Sequence, residues 1–214
     1  VRSLAIHEKT GDQAGIASSL NSVGNVHHSK GEHERALEYY ERSLAIHEKI
    51  GDQAGIGLAL NSIGNVHKDR GEYARALEYL GRGLKIHEKI GDKMGVGMSL
   101  GNLGNVHHYR GEYARALEYY ERSLAICEKI GDQEGIAWCL CNIGTVHHER
   151  GESDRALEYL RRGLAVWEKI GDQGGIAVSL ISLAEAILQK GDPSNAELHC
   201  ERALSIGTQI EAEQ

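Results

Sequence analysis

The sequence predicts an all-α solenoid of antiparallel helix hairpins, and three observations carry that expectation. A block reading GNVHxxxGExxRALEYYxRSLAIHEKIGDQ returns every 40 residues along the 214-residue chain. Two glycine series keep the same register from end to end: Gly11, Gly51, Gly91, Gly131 and Gly171, then Gly31, Gly71, Gly111, Gly151 and Gly191. Between the glycines the apolar residues recur at helical spacing. A unit this small cannot bury its own apolar face, so it must stack on its neighbours, and stability becomes roughly a sum of unit and interface contributions.

Residues 52–90 justify each element in turn. Gly51 can close the preceding helix in the left-handed conformation, and Asp52 then serves as N-cap of the next one. Ile56, Leu60, Ile63, Gly64 and His67 follow at steps of four, three, one and three, which is one stripe of a 3.6-residue helix. Gly71 ends this first (A) helix. Tyr73, Ala76, Leu77, Leu80, Leu84 and Ile86 form the stripe of a second (B) helix running to about Ile90. The predicted hairpins span 12–50, 52–90, 92–130, 132–170 and 172–210 of one continuous array. Residues 1–10 match the tail of a preceding B helix, as in a segment of a longer array.

Small residues set the approach of the two helices. Gly64 and Ala76 each occupy the buried face of their helix, and they recur together as Gly24 with Ala36, Gly104 with Ala116 and Gly144 with Ala156; in the last unit Ala184 replaces the glycine and pairs with Ala196. Side chains of this size bring helix axes toward the short end of the usual range of about 8–10 Å. The pattern of Leu, Gly, an aromatic-like residue and then G-[ED]-x-x-x-A-L resembles the tetratricopeptide repeat (TPR) family over practically the whole chain. Two departures stand out. The units have 40 residues against about 34 in the common form, and His27, His67, His107 and His147 occupy the place of the usual aromatic. Long units with an N-[SL]-[IL]-G-N core are similar to TPR arrays of the Pins/LGN cell-polarity adaptors and of bacterial signalling proteins. The resemblance implies a right-handed superhelix with A helices on the concave side and B helices on the convex side.

Composition narrows the function. The chain is 41% apolar and 26% charged, with one proline, no phenylalanine and a formal charge of −7. No basic stripe suited to nucleic acid is present, no apolar run reaches the roughly 18–20 residues of a membrane span, and the first residues do not read as a signal peptide. A cytoplasmic location is expected. Cys127, Cys139, Cys141 and Cys200 are too few and irregular for a disulfide framework. The recurring histidines stand one repeat apart, about 10 Å, too far to share a zinc ion whose ligand nitrogens lie about 2 Å from it. Neither a metal, a cofactor nor a catalytic constellation is expected, since nucleophile, base and orienting group would have to converge in one unit.

The remaining signal is the A-helix face turned away from the buried stripe. Asparagine recurs on it as Asn25, Asn65 and Asn105, supported by Asn21, Asn61, Asn102 and Asn142. A carboxamide can pair with both N–H and C=O of a peptide backbone without reading its sequence. With A helices about 10 Å apart and an extended chain rising about 3.3 Å per residue, one asparagine meets roughly every third ligand residue. The expectation is therefore a non-enzymatic scaffold gripping an extended peptide segment of a partner protein, with the alternative that the asparagines bond neighbouring helices and set the pitch. Met98, Tyr109 and Trp138, where the repeat breaks its pattern, are candidate anchors. Two other readings of the array are a ligand-sensing part of a larger signalling protein and a structural array that self-associates end to end.

Overall fold

The structure, a computed structural model, describes His7 and residues 10–212. The array's expected opening segment, residues 1–10, falls largely outside the described residues; His7 and Thr10 within it are helical. Ten further helices follow: α1 (Gln13–Ser29), α2 (His33–Ile50), α3 (Gln53–Asp69), α4 (Tyr73–Ile90), α5 (Lys93–Tyr109), α6 (Tyr113–Ile130), α7 (Gln133–Glu149), α8 (Ser153–Ile170), α9 (Gln173–Gln189) and α10 (Pro193–Ala212). No strand occurs among the described residues. Odd-numbered helices are the A helices and even-numbered ones the B helices.

Local chemistry fixes every boundary. Asp12, Asp52, Asp92, Asp132 and Asp172 cap the A helices, each accepting from the backbone N–H three residues on, as Asp52 Oδ1 does from Gly55 N at 3.0 Å. The B helices α2, α4, α6 and α8 end on left-handed glycines. Gly51 has φ of 73°, its N–H reaches Glu48 O, and Asp52 N donates to His47 O at 3.0 Å, which satisfies the last carbonyls. Gly71, also at φ 73°, makes the turn inside the hairpin with the same bonding pattern, Glu72 N donating to His67 O at 2.8 Å.

The chain divides into two compact units, Val1–Arg110 and Gly111–Gln214. In the first, α1 packs on α2 and α3 on α4, with α2–α3 and α4–α5 joining successive hairpins. The second repeats this with α7 on α8 and α9 on α10, joined through α6–α7 and α8–α9. Within each unit an A helix also touches the next A helix, whereas no two B helices of a unit touch among the described residues. Each unit therefore draws its A helices together on one side.

The buried stripe matches the expected spacing for α3, where Ile56, Leu60, Ile63, Gly64 and His67 are all buried. In α4 the burial is concentrated on Ala76, Leu80, Gly83 and His87, while Tyr73, Leu77, Leu84 and Ile86 are only half-buried. The outer helix of a hairpin has one covered side, so a residue a third of a turn away already meets solvent.

Candidate functional site

The A-helix face is built on a recurrent clasp at the hairpin turn. His27, His67 and His147, at the ends of α1, α3 and α7, hydrogen-bond through Nδ1 to Oε2 of Glu32, Glu72 and Glu152 at 2.6, 2.8 and 2.7 Å. Each imidazole stacks on a B-helix tyrosine, Tyr39, Tyr79 or Tyr159, with centroids 5.2, 5.3 and 5.5 Å apart. Arg42, Arg82 and Arg162 cover the same three tyrosine rings at 5.7, 5.6 and 5.3 Å. Histidine thus does the stacking an aromatic would do and also holds the glutamate that precedes the B helix. The histidine hydrogen bond is the main reason Glu32, Glu72 and Glu152 sit below the usual carboxylate range, with Arg35, Arg75 and Arg155 assisting.

The asparagines divide by position. Asn61 is 3% exposed, and its Nδ2 donates to Ser99 Oγ at 2.8 Å, tying α3 to α5. Its carboxamide fits because residue 83 is glycine: a Cβ there would lie 2.7 Å from Asn61 Oδ1. Asn61 is therefore a seam residue and stands outside the face expected to meet a peptide. Asn21 holds the same place in α1, but Ala59 stands where Ser99 does, and Asn21 Oδ1 is buried with no hydrogen bond.

Asn25 is exposed, and its Oδ1 accepts from the Tyr40 hydroxyl at 2.7 Å, joining A and B helices within the first hairpin. At the matching place in the second hairpin the B helix offers Leu80, so half-buried Asn65 keeps a buried Oδ1 with no hydrogen bond. Asn102 and Asn105 are half-buried on α5. Asn142 donates to Trp138 O at 2.9 Å, one turn back on α7.

The anchors likewise separate. Met98 is 48% exposed and Tyr109 62% exposed, both on α5. Leu58, at the repeat position of Met98 on the adjacent α3, is 43% exposed. Trp138 belongs to the second unit, half-buried and edge-on to Tyr120 at 5.8 Å, against the core of Ala116, Tyr120, Ile143 and Val146. One further feature of the first unit has no counterpart in the sequence reading. Across the ends of α1, α3 and α5, His28 Nε2 meets Asp69 Oδ2 at 2.7 Å, Lys68 Nζ meets Asp69 Oδ1 at 3.0 Å, and the Lys68 ammonium lies 5.6 Å from the Tyr109 ring centroid.

Among the described residues no group of three His, Cys, Asp or Glu is placed to hold a metal ion. No described helix is long and apolar enough to cross a membrane.

Known proteins resemble the chain at two levels. The tetratricopeptide repeat family model matches residues 2–49, 15–89, 55–129 and 95–169. No curated protein matches in sequence. Among solved structures, BtubC from P. vanneervenii superposes with a TM-score of 0.80 at 19% identity, covering 98% of this chain and 89% of that one. The Rap conjugation gene regulator of the plasmid pLS20, solved in complex with a Phr peptide, gives 0.81 at 16% identity over 95% of this chain and 57% of its own. A Rap protein complexed with competence and sporulation factor gives 0.77 at 16% identity over 97% and 68%. At these identities the structures testify to the fold alone, while the family model spans most of the sequence: the chain belongs to the tetratricopeptide repeat family.

Proposed function

We propose that the chain is a non-enzymatic protein-interaction scaffold that receives an extended peptide on the A-helix face of its first unit. The observation that carries this reading is the row formed by Leu58 and Met98 on neighbouring A helices, both exposed by more than two fifths, with half-buried Asn65, Asn102 and Asn105 on the same two helices. Exposed apolar side chains beside carboxamides suit a backbone-gripping, side-chain-burying mode of recognition. A Rap regulator of the same fold was solved with a peptide bound, which supports a peptide as the ligand class. Tyr109 closes the row, its ring flanked by Lys68. Asn61 is left out of the grip and contributes seam stability instead.

A peptide-library selection against the chain tests the reading, followed by titration of the enriched peptide against three variants. Leu58→Ser with Met98→Ser should weaken binding by tenfold or more, since truncating a buried anchor typically costs above about 1 kcal/mol. Asn65→Ala with Asn102→Ala should weaken every selected peptide to a similar extent, as expected of backbone recognition. Unchanged affinity in both pairs would overturn the placement of the site. Trp138→Ala is the comparison for the second unit and should leave affinity unaltered.

A further inference from the structure

The chain has two methionines, Met94 and Met98, and both lie on α5. They stand one turn apart, so their side chains leave the helix on the same face. Met94 is 58% exposed and Met98 48% exposed. Packing accounts for neither. The positions matching Met94 carry Ala14, Ala54, Glu134 and Gly174, and those matching Met98 carry Ser18, Leu58, Trp138 and Val178. Among the described residues the apolar core is built from Ala, Leu, Ile, Val, Tyr and Cys without methionine, so the thioether does not serve here as the gap-filler it often is in a core. Steps of four, four, three and four lead from Met94 through Met98, Asn102 and Asn105 to Tyr109, which makes Met94 the far end of the same α5 row. All four cysteines come after Arg110, hence the two thioethers are the only sulfur atoms of the first unit.

We infer that Met94 and Met98 are a modification site through which hydrogen peroxide controls the peptide face. The inference rests on the function proposed above, to which it adds a residue, Met94, and a means of control. Each thioether sulfur attacks one peroxide oxygen with a lone pair. An S–O bond forms, the O–O bond breaks, and the departing hydroxide takes up the proton left on the transferred oxygen and leaves as water. Each sulfur is oxidised by two electrons to a sulfoxide, and one peroxide is reduced by two. Both side chains are open to solvent, so the oxidant reaches them without any rearrangement of the helix. A sulfoxide is polar, and the row beside Leu58 thereby loses the apolar surface that covers a partner's side chain. The fold does not depend on the two methionines, because neither belongs to the buried residues of α5. Oxidation therefore removes binding and leaves the array standing, and methionine sulfoxide reductases restore the thioethers.

The test uses the full chain and the peptide enriched by library selection. Treatment with hydrogen peroxide should add one oxygen to each methionine, read by mass spectrometry on the tryptic fragment 94–110 that holds both. Affinity should fall by about tenfold or more, with the melting curve unaltered. The loss should persist in dithiothreitol, which reduces disulfides, and reverse with methionine sulfoxide reductases. Met94→Leu with Met98→Leu keeps an apolar row without thioethers and retains all four cysteines; its affinity should be the same before and after peroxide. Met94→Gln with Met98→Gln puts a polar group where the sulfoxides form and should bind as weakly as the oxidised parent with no oxidant present. The inference is overturned if exposed Cys200 is oxidised while fragment 94–110 gains no oxygen, if both methionines are oxidised and affinity holds, or if the leucine pair loses affinity equally. The peptide-binding function itself is judged separately, in untreated protein, by Leu58→Ser with Met98→Ser and by Asn65→Ala with Asn102→Ala.

Discussion

At the scale of single residues, the glycines inside the helices serve two different ends. A Cβ on Gly95 would overlap the His87 ring, which is fully buried and is also packed against Gly57. Nothing stands within 4 Å of the Cβ position of Gly81, inside α4. Alanine is favoured over glycine in a helix interior by about 1 kcal/mol, and overpacking a filled site costs about 1–3 kcal/mol. Gly81→Ala should therefore raise Tm by a few degrees, while Gly95→Ala should lower it, because His87 has nowhere to go. Melting both variants beside the parent protein checks the opposite signs; a stabilising Gly95→Ala would mean the imidazole can leave its slot. Gly51 was legible in the sequence because a left-handed cap is a local requirement. Gly55, Gly95, Gly135 and Gly175 were not, since each makes room for a side chain of the preceding B helix: His47, His87, Cys127 and Trp167 in turn. The asparagines follow the same rule. Asn61 and Asn65 sit one turn apart with identical chemistry, and only the neighbouring Gly83 and Ser99 send one into the seam.

At the scale of elements, the two kinds of helix are started by different means in the first four hairpins, while in the fifth Asp192 caps the B helix as the aspartates cap the A helices. A helices carry a side-chain cap, Asp52 being typical, whereas Glu72 ahead of α4 makes no capping hydrogen bond. Its carboxylate is taken by His67, Arg70 and Arg75 at 2.8, 3.0 and 3.1 Å. Asp52 does double duty, with Oδ1 on Gly55 N at 3.0 Å and Oδ2 2.9 Å from Nδ1 of buried His47, off the line of a hydrogen bond. Asp52→Ala should cost about 1–2 kcal/mol, the upper part of the range for losing an N-cap, because the His47 contact goes with it. Asp52→Asn keeps the Oδ1 acceptor and should recover most of the loss in thermal denaturation. If Asn and Ala prove equally destabilised, the charge opposite His47 and not the cap carries the effect. Helix ends and lengths were readable from the Gly-Asp and Gly-Glu steps; the histidine–glutamate clasp was not. It depends on a five-residue separation across a turn, which no helical or strand periodicity marks.

Across the whole chain the clasp is repeated, and repetition turns a small electrostatic contribution into a measurable one. Glu32, Glu72 and Glu152 are each held below the usual carboxylate range, first by the histidine hydrogen bond. They share no partner: His27 and Arg35 serve the first, His67, Arg70 and Arg75 the second, His147, Arg150 and Arg155 the third. Independent sites contribute additively, and an array sums its units. The sign follows from linkage. A depressed carboxylate pKa means the unfolded chain binds protons first as pH falls, so stability is complete above the unfolded value of about 4.3. It is lost progressively as pH drops through that value and on through the lower folded value. Replacing all three by glutamine keeps an acceptor for each histidine but removes the titration. The triple variant should melt below the parent at pH 7, and its Tm should fall less steeply between pH 5 and pH 3, so the two curves converge in acid. Parallel curves over that range would assign the acid sensitivity to other carboxylates and reduce the clasp to a stacking contact between His and Tyr.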